Sequence, residues 1–408
     1  MAKTGSQLDK YLLHEMIGGG GFATVYRATD TTLEREAAVK VLKEEFTKTP
    51  EARERFTQEA RKASGLSHPS IIQVYDLIED SESPAIAMEY LPAGDLHRWL
   101  VDHPRPSRKF SLNVLRQAAD ALDYIHLQEI VHRDVKPSNI LLTSIPTSDD
   151  SVSICLSDFG LVMPNEARTA GQGGRLTGSA IYVSPEQARN QSVDKSSDQY
   201  SLGIVAYELL VGRPPFEGND VTVLMAKRIV EPPPVPSTIN EEVPTEVDKV
   251  LLQALALDPK ARFSSCAAFV DALDAALHNS DQRRFVELRQ EARSLTAQDK
   301  FELARQKLEE ARRLMNTSDL QLDFDYLGGT EAWKDAIQKA KLLLGQNANA
   351  PDPQGIFLRL GLRTPQRRLP TREELKARLT RDQIIVGLIL TSVGIAFLMY
   401  LAYLWLIR

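Results

Sequence analysis

The chain has 408 residues, of which 43% are apolar and 25% charged, and its formal net charge is −6. That content can build a large core plus an appended region, and the acidic balance excludes a general nucleic-acid binder; no nucleic-acid partner is expected. Two cysteines, Cys155 and Cys266, exclude a disulfide scaffold and suit a reduced, cytosolic setting.

In chain order, Met1 to Lys10 is a polar tail without the apolar core of a signal peptide. Ile17-Gly18-Gly19-Gly20-Gly21-Phe22-Ala23-Thr24-Val25-Tyr26 reads as strand, turn and strand. Such a glycine run lets backbone N–H groups approach phosphates where a Cβ would clash, although by itself it marks only a turn. Ala37-Ala38-Val39-Lys40 is an apolar strand ending in a lysine, and a helix over Ala52 to Ala60 follows with Glu59 near its end. Taken alone, Lys40 and Glu59 are ordinary surface charges. Ala85-Ile86-Ala87-Met88-Glu89-Tyr90-Leu91 is a second apolar strand, with Gly94-Asp95-Leu96 directly after it.

The most informative run is His132-Arg133-Asp134-Val135-Lys136-Pro137-Ser138-Asn139, followed by Asp158-Phe159-Gly160. Phosphoryl transfer from ATP needs an oriented hydroxyl, a clamped triphosphate and positive charge between the β- and γ-oxygens. An Asp, a Lys, an Asn and a second Asp at these offsets supply a base, a phosphate-binding cation and two metal ligands. Between them, Thr143 to Asp150 reads as a polar, exposed hairpin loop outside the chemistry. Further on come Ser184-Pro185-Glu186-Gln187-Ala188, Asp198-Gln199-Tyr200-Ser201-Leu202-Gly203, Tyr207 to Phe216, and Asp258-Pro259-Lys260-Ala261-Arg262-Phe263.

In order and spacing over roughly residues 11–275, this set resembles the bacterial eukaryotic-like (Hanks-type) serine/threonine protein kinases. The resemblance implies an α+β, two-lobed protein kinase fold with a β-rich N-lobe and a mainly helical C-lobe. It implies ATP as cofactor with Mg2+, or Mn2+ in its place. The nucleotide site would comprise Ile17, Gly18, Gly19, Gly20, Gly21, Phe22, Ala23 and Val25 from the glycine-rich loop, and Ala38 and Lys40 from the next strand. Glu59 would be the ion-pair partner of Lys40. Met88 would guard the back of the adenine pocket, and the Glu89 and Leu91 backbones would bond the adenine edge. Asp95, Leu142, Asn139 and Asp158 complete the site, the last two as metal ligands.

Asp134 would orient the acceptor hydroxyl and take its proton, while Lys136 would neutralise the γ-phosphate; a lysine at that offset is typical of serine/threonine kinases. Arg133 would pair with a phosphate on the activation segment, for which Thr169 and Thr177 are the candidates, and Ser179 would contact the substrate. His132 is expected to be a packed structural histidine. Glu186 would form a buried pair with Arg262, and Asp198 would hold the catalytic-loop backbone. One departure stands out: Ala23 occupies the third glycine position, where its methyl is expected to stiffen the loop without blocking ATP. That departure leaves a pseudokinase-type signalling scaffold as the alternative. A small-molecule phosphotransferase is a third reading, although that class generally lacks the long segment closed by Pro-Glu.

Past residue 280 the pattern changes. Arg283 to Met315 has apolar residues at helical spacing (Phe301, Ala304, Leu308, Ala311), and a second helix is expected over Thr330 to Leu344. The pair resembles one tetratricopeptide unit, with a plain helical spacer as the alternative. Gln346 to Pro370 is a linker, and Thr371-Arg372-Glu373-Glu374 is a capping box. Ile384 to Ile407 is uncharged throughout; at ~1.5 Å per residue it reaches roughly 36 Å, enough to cross a bilayer core of ~30 Å. Arg363, Arg367, Arg368, Arg372, Lys376, Arg378 and Arg381 precede it and only Arg408 follows, which places the N-terminal side in the cytoplasm and the C-terminus on the far side. Gly387, Thr391, Ser392 and Ala396 offer a small-residue face for a homodimer. The expected layout is a tail (1–10), a kinase domain (11–278), a helical segment (280–345), a linker and basic juxtamembrane region (346–383) and a single-pass transmembrane helix (384–407) in the cell membrane. Its partners would be ATP, protein substrates with Ser/Thr acceptors and the lipid bilayer.

Overall fold

The computed structural model describes residues 3–79, 84–158, 178–218 and 220–315, with scattered positions up to 335. The chain divides into two units, Met1–Ser294 with Arg305–Leu320, and Leu295–Ala304 with Gln321–Arg408. The first unit opens with an antiparallel sheet of β1 (Gln7–Leu8), β2 (Tyr11–Gly19), β3 (Ala23–Asp30), β4 (Arg35–Leu42), β5 (Val74–Ile78) and β6 (Ala85–Met88), in the spatial order β1-β2-β3-β4-β6-β5. Between β4 and β5 lie α1 (Glu44–Thr47) and α2 (Pro50–Ser64), the latter started by Pro50 at its first position and stopped at Gly65.

Strand period determines what β4 does. Ala37, Val39 and Val41 pack with Tyr11, Leu13 and Ala28 on one face of the sheet. Successive side chains alternate, so Ala38 and Lys40 are directed to the opposite face. Opposite them in register on β6 stand Met88 and Ile86. A separate small cluster of Ala23, Leu42, Phe56, Ala60 and Ile86 seals α2 against the sheet.

The larger half follows with α3 (Leu96–Asp102) and α4 (Arg108–His126), then a two-stranded ribbon of β7 (Ile140–Leu142) and β8 (Ile154–Leu156). Next come α5 (Pro185–Ala188), α6 (Lys195–Val211), α7 (Val221–Val230), α8 (Pro236–Ile239), α9 (Thr245–Ala254), α10 (Cys266–Ala297) and α11 (Phe301–Leu314). Helix α6 is buried on nearly every face, with the apolar run Leu202–Val211 interrupted only by Glu208 and with Ser197, Asp198, Gln199 and Ser201 buried in its first half. Its Gly203 lets α9 approach closely, since a Cβ there would stand 3.1 Å from Leu255 and 3.2 Å from Ala254. The two-lobed α+β architecture implied by the sequence is therefore present.

Beyond residue 280 the structure differs from the expected helices. Helix α10 runs through that position without a break for 32 residues. The helix expected over Arg283 to Met315 is instead divided: Asp299 takes a left-handed conformation (φ 65°) and Lys300 donates back to the Leu295 carbonyl (2.9 Å), a Schellman-type stop. Arg284 reaches Glu310 (3.1 Å) and Lys307 reaches Glu291 (3.0 Å), so α10 and α11 run side by side. Most of Thr330 to Leu344, and all of 346–383 and 384–407, lie outside the described residues; among the described residues no helix is long and apolar enough to cross a membrane.

The expected Glu186–Arg262 pair is made in full. Arg262 Nη2 and Nη1 donate to the two Glu186 oxygens (2.8 and 2.9 Å), with both side chains buried. Burial would raise the Glu186 carboxyl, but Arg262 and Ser197 hold it below its ordinary value. Arg262→Met should destabilise the domain by roughly 3–5 kcal/mol by stranding the carboxylate, and adding Glu186→Gln should recover part of that loss. Thermal unfolding of the single and double variants checks it.

Candidate active site

The catalytic loop is fixed from below by one buried carboxylate. Asp198, on the first turn of α6 and 0% exposed, accepts from the backbone N–H of His132 (2.8 Å) and of Arg133 (2.7 Å). Its Oδ2 also meets His126 Nε2 at 2.8 Å. These bonds hold Arg133 at φ 67°, a left-handed conformation uncommon for a residue with a side chain. Arg133 is exposed, and Thr169 and Thr177, its expected phosphate-bearing partners, lie outside the described residues, as does the Ser179 side chain.

That chain reversal delivers Asp134 to its neighbours. Lys136 Nζ donates to Asp134 Oδ2 (2.7 Å), and Asn139 Nδ2 donates to both the Asp134 carbonyl (2.9 Å) and Oδ2 (3.0 Å). With its amide nitrogen committed to Asp134, Asn139 can offer a cation only its oxygen. The second carboxylate, Asp158, also sits at positive φ (63°), just after β8. Lys40 Nζ, from β4, donates to its Oδ1 at 2.8 Å. Burial works against ionisation here, yet Lys40, through its charge and its hydrogen bond, and the nearby Lys136 keep the Asp158 carboxyl below its usual range.

His132 joins these two carboxylate loops. It is fully buried, and burial pushes its imidazole below the ordinary value, so the ring is neutral. The Asp134 N–H donates to Nδ1 (3.3 Å), which places the proton on Nε2, directed at the Ser157 carbonyl (3.1 Å). One imidazole thus fixes the spacing between Asp134 and Asp158.

The remaining expected residues distribute around this centre. Gly18 and Gly19 end β2, Gly20 and Gly21 form the turn with open space where a Cβ would stand, and Ile17 is exposed. Phe22 stacks obliquely on Phe46 (centroids 4.3 Å). Ala23 begins β3 and is 4% exposed, its methyl packed with Phe56 and Ala60 of α2. The departure from glycine therefore fills the seam between sheet and helix. Ala38, Met88 and Leu142 belong to one apolar cluster against which Val25 packs, a slot of the kind a purine ring enters. Glu89 donates its N–H to the Gln73 carbonyl (2.9 Å), so its own contribution to an adenine edge comes from its C=O. Asp95 caps α3 through Oδ1 to the Arg98 N–H (2.8 Å). Glu59 lies on α2, but its side chain is outside the described residues. Behind Met88, a cavity of about 20 Å³ between Lys40, Ala63, Ile86 and Asp158 has room for about one water.

Three contributors carry no role in the sequence reading: His126, Asp123 and Gln187. Gln187 Nε2 donates to the Arg133 carbonyl (2.9 Å) and joins α5 to the catalytic loop. Asp123 accepts the first N–H groups of α10, from Cys266 (3.0 Å) and Ala267 (2.9 Å), and stands 3.6 Å from His126. The only sequence signal for any of them is a histidine six residues before the catalytic run. Both cysteines are buried thiols, Cys155 pushed up to about 11 and Cys266 well above the ordinary value by burial.

Residues 11–273 match the family model "Protein kinase domain", and the chain belongs to that family. It is 38% identical over 256 residues to serine/threonine-protein kinase PrkC of Bacillus subtilis, covering 63% of this chain and 39% of that protein. It is 37% identical over 265 residues to serine/threonine-protein kinase PknB of Mycobacterium leprae, covering 64% of this chain and 42% of that one. The chain thus spans about two fifths of the length of these curated relatives. Among solved structures, the Mycobacterium tuberculosis PknI kinase domain aligns with a TM-score of 0.54 and 30% identity, covering 68% of this chain and all of that one.

The imidazole of His126 yields a pH prediction. Burial would lower its pKa, but bonds to Asp123 and Asp198 push it up to about 9 from an ordinary 6.5. A raised folded-state value means the stabilisation is complete below about pH 6.5 and is lost as pH rises through about 9. On the order of 3 kcal/mol should disappear across that window. His126→Gln should be less stable at pH 6.5 and should show a flatter dependence of Tm on pH.

Proposed function

We propose that this chain is an active serine/threonine protein kinase that transfers the γ-phosphate of ATP to protein hydroxyls. The observation that carries this is the connected set Lys40–Asp158 and Lys136–Asp134–Asn139, bridged by His132. Asp134 Oδ accepts the proton of the acceptor hydroxyl as its oxygen attacks the γ-phosphorus and the bond to the β-bridging oxygen breaks. Lys136, beside Asp134, balances charge on the transferred group, and Lys40 holds the phosphates that stay behind. Asn139 and Asp158 present hard oxygen ligands of the kind Mg2+ or Mn2+ takes, so these residues fit the divalent cation such chemistry uses. That cation supplies charge neutralisation across the phosphates. A pseudokinase scaffold fits less well, because Lys40, Asp134, Asn139 and Asp158 are all in place and Ala23 packs against α2.

The test is transfer of label from radiolabelled ATP to a generic protein substrate. Asp134→Asn should reduce the rate by roughly 10²–10⁴-fold and Asp158→Ala should abolish it. Equal labelling by wild type and Asp158→Ala would exclude the kinase reading.

The finer proposal has two parts. Autophosphorylation at Thr169 or Thr177 would order the activation segment by pairing with Arg133. Ile384–Ile407 would anchor the chain in the membrane as a single-pass helix with the kinase domain cytoplasmic, raising the local concentration of a second copy and favouring transfer in trans. Mass spectrometry should find activation-segment phosphate in wild type, none in Asp134→Asn, and reduced stoichiometry in cells when residues 384–408 are deleted. Unchanged stoichiometry at matched expression counts against the membrane part.

A further inference from the structure

Helix α7 carries a guanidinium in an unusual setting. Arg228 is 0% exposed, and its Nη1 donates to the Ala180 carbonyl (2.6 Å) while Nη2 donates to the Ile181 carbonyl. The guanidinium carbon lies 5.6 Å from the centre of the Phe216 ring, and Nε has no partner. Among the described residues no carboxylate pairs with it. The domain's other deeply buried arginine, Arg262, is matched by both oxygens of Glu186. A cation buried without a counter-ion is unfavourable unless acceptors are held in place to solvate it, and here those acceptors are two adjacent backbone carbonyls, with the Tyr200 hydroxyl beside them.

The two carbonyls belong to a segment with a defined place. Ala180 and Ile181 lie in the 3-10 turn Gly178–Tyr182, immediately before α5. Tyr182 is fixed by its hydroxyl to Glu208 (2.6 Å) and by its carbonyl to Ser201 Oγ (2.7 Å). Gln187 then joins the following helix to Arg133 of the catalytic loop. Every bond beyond residue 181 therefore anchors the far end of the segment, and Arg228 anchors its near end, next to where Ser179 is expected to meet the substrate.

We propose that Arg228 is a positioning residue for the polypeptide substrate, fixing the Ala180–Ile181 backbone from below so that it forms the rigid floor on which the chain beside the acceptor hydroxyl lies. This rests on the protein-kinase reading of the site. Arg228 touches neither nucleotide-binding nor proton-accepting groups, so its effect falls on the peptide and not on ATP. A planar fork reaches both carbonyls at once; an ammonium can serve only one of them well.

The experiment is steady-state kinetics on the full chain with a serine peptide and with ATP varied separately, alongside thermal unfolding. Arg228→Met should raise the KM for peptide about tenfold with the KM for ATP within about twofold of wild type, and Arg228→Lys should raise the peptide KM about threefold. Should Arg228→Met not fold, the lysine variant carries the test by itself. A folded variant with wild-type peptide KM, or one whose ATP KM rises in step with it, overturns the proposal. Absence of transfer by wild type in the same assay overturns the kinase reading instead.

Discussion

The active site depends on the carboxylate of Asp198. An unpaired charge buried to this extent would be prohibitive, so its oxygens are satisfied by two backbone N–H groups and an imidazolium. The same three bonds hold Arg133 in left-handed backbone, a conformation that costs of order 1–3 kcal/mol where nothing enforces it. Without that reversal Asp134 could not face Lys136 and Asn139 two and five residues further along. The helix supporting the loop, α6, is buried along nearly its whole length, so the anchor is built on an element enclosed by the core of the larger lobe.

From this anchor the constraint passes upward. The neutral imidazole of His132 carries it to Ser157, and Asp158 follows at positive φ with its carboxylate against Lys40. Lys40 in turn is directed by the two-residue period of β4, whose opposite face is occupied by Val39 and Val41 in the sheet's own core. A one-residue slip of that strand would turn the lysine into the hydrophobic layer and a valine into the cleft. The nucleotide-side lysine and the catalytic-loop carboxylate are thus related by strand register, one imidazole and one buried aspartate.

Much of this was legible in the sequence because the chemistry is written in contiguous runs. Asp134, Lys136 and Asn139 fall within six residues, and their mutual bonds follow from one local turn. The Glu186–Arg262 pair and the Asp198 anchor were legible only through family resemblance, since neither partner marks the other by spacing. The roles of His126, Gln187 and Arg228 were not legible at all: each acts on the backbone or carboxylate of a distant segment, and backbone acceptors leave no residue-type signature. Ala23 shows a different limit. Position in the glycine pattern suggested a stiffened loop, and the structure adds what the pattern does not carry, the packing of the methyl against Phe56 and Ala60. The stop at Asp299 was missed because no glycine marks it and the apolar periodicity continues across the turn. The expected juxtamembrane and membrane segments lie outside the described residues.

The two buried arginines divide the labour around the substrate segment. Arg262 meets a carboxylate through two parallel bonds, an arrangement strong in energy and narrow in geometry, and it fixes Glu186 at the start of α5 against the body of the lobe. Arg228 meets carbonyl dipoles, the Tyr200 hydroxyl and an aromatic face, which solvate its charge without neutralising it. Removing the partner is possible for Arg262, by changing Glu186, but the two carbonyls that Arg228 meets are main chain and persist through any substitution at 180 or 181 that preserves the fold. The first contact therefore constrains which residue can stand at position 186, and the second constrains only the path of the backbone. On the proposed kinase reading, a segment that accepts varied side chains from a substrate while keeping one shape is served by the second kind of contact.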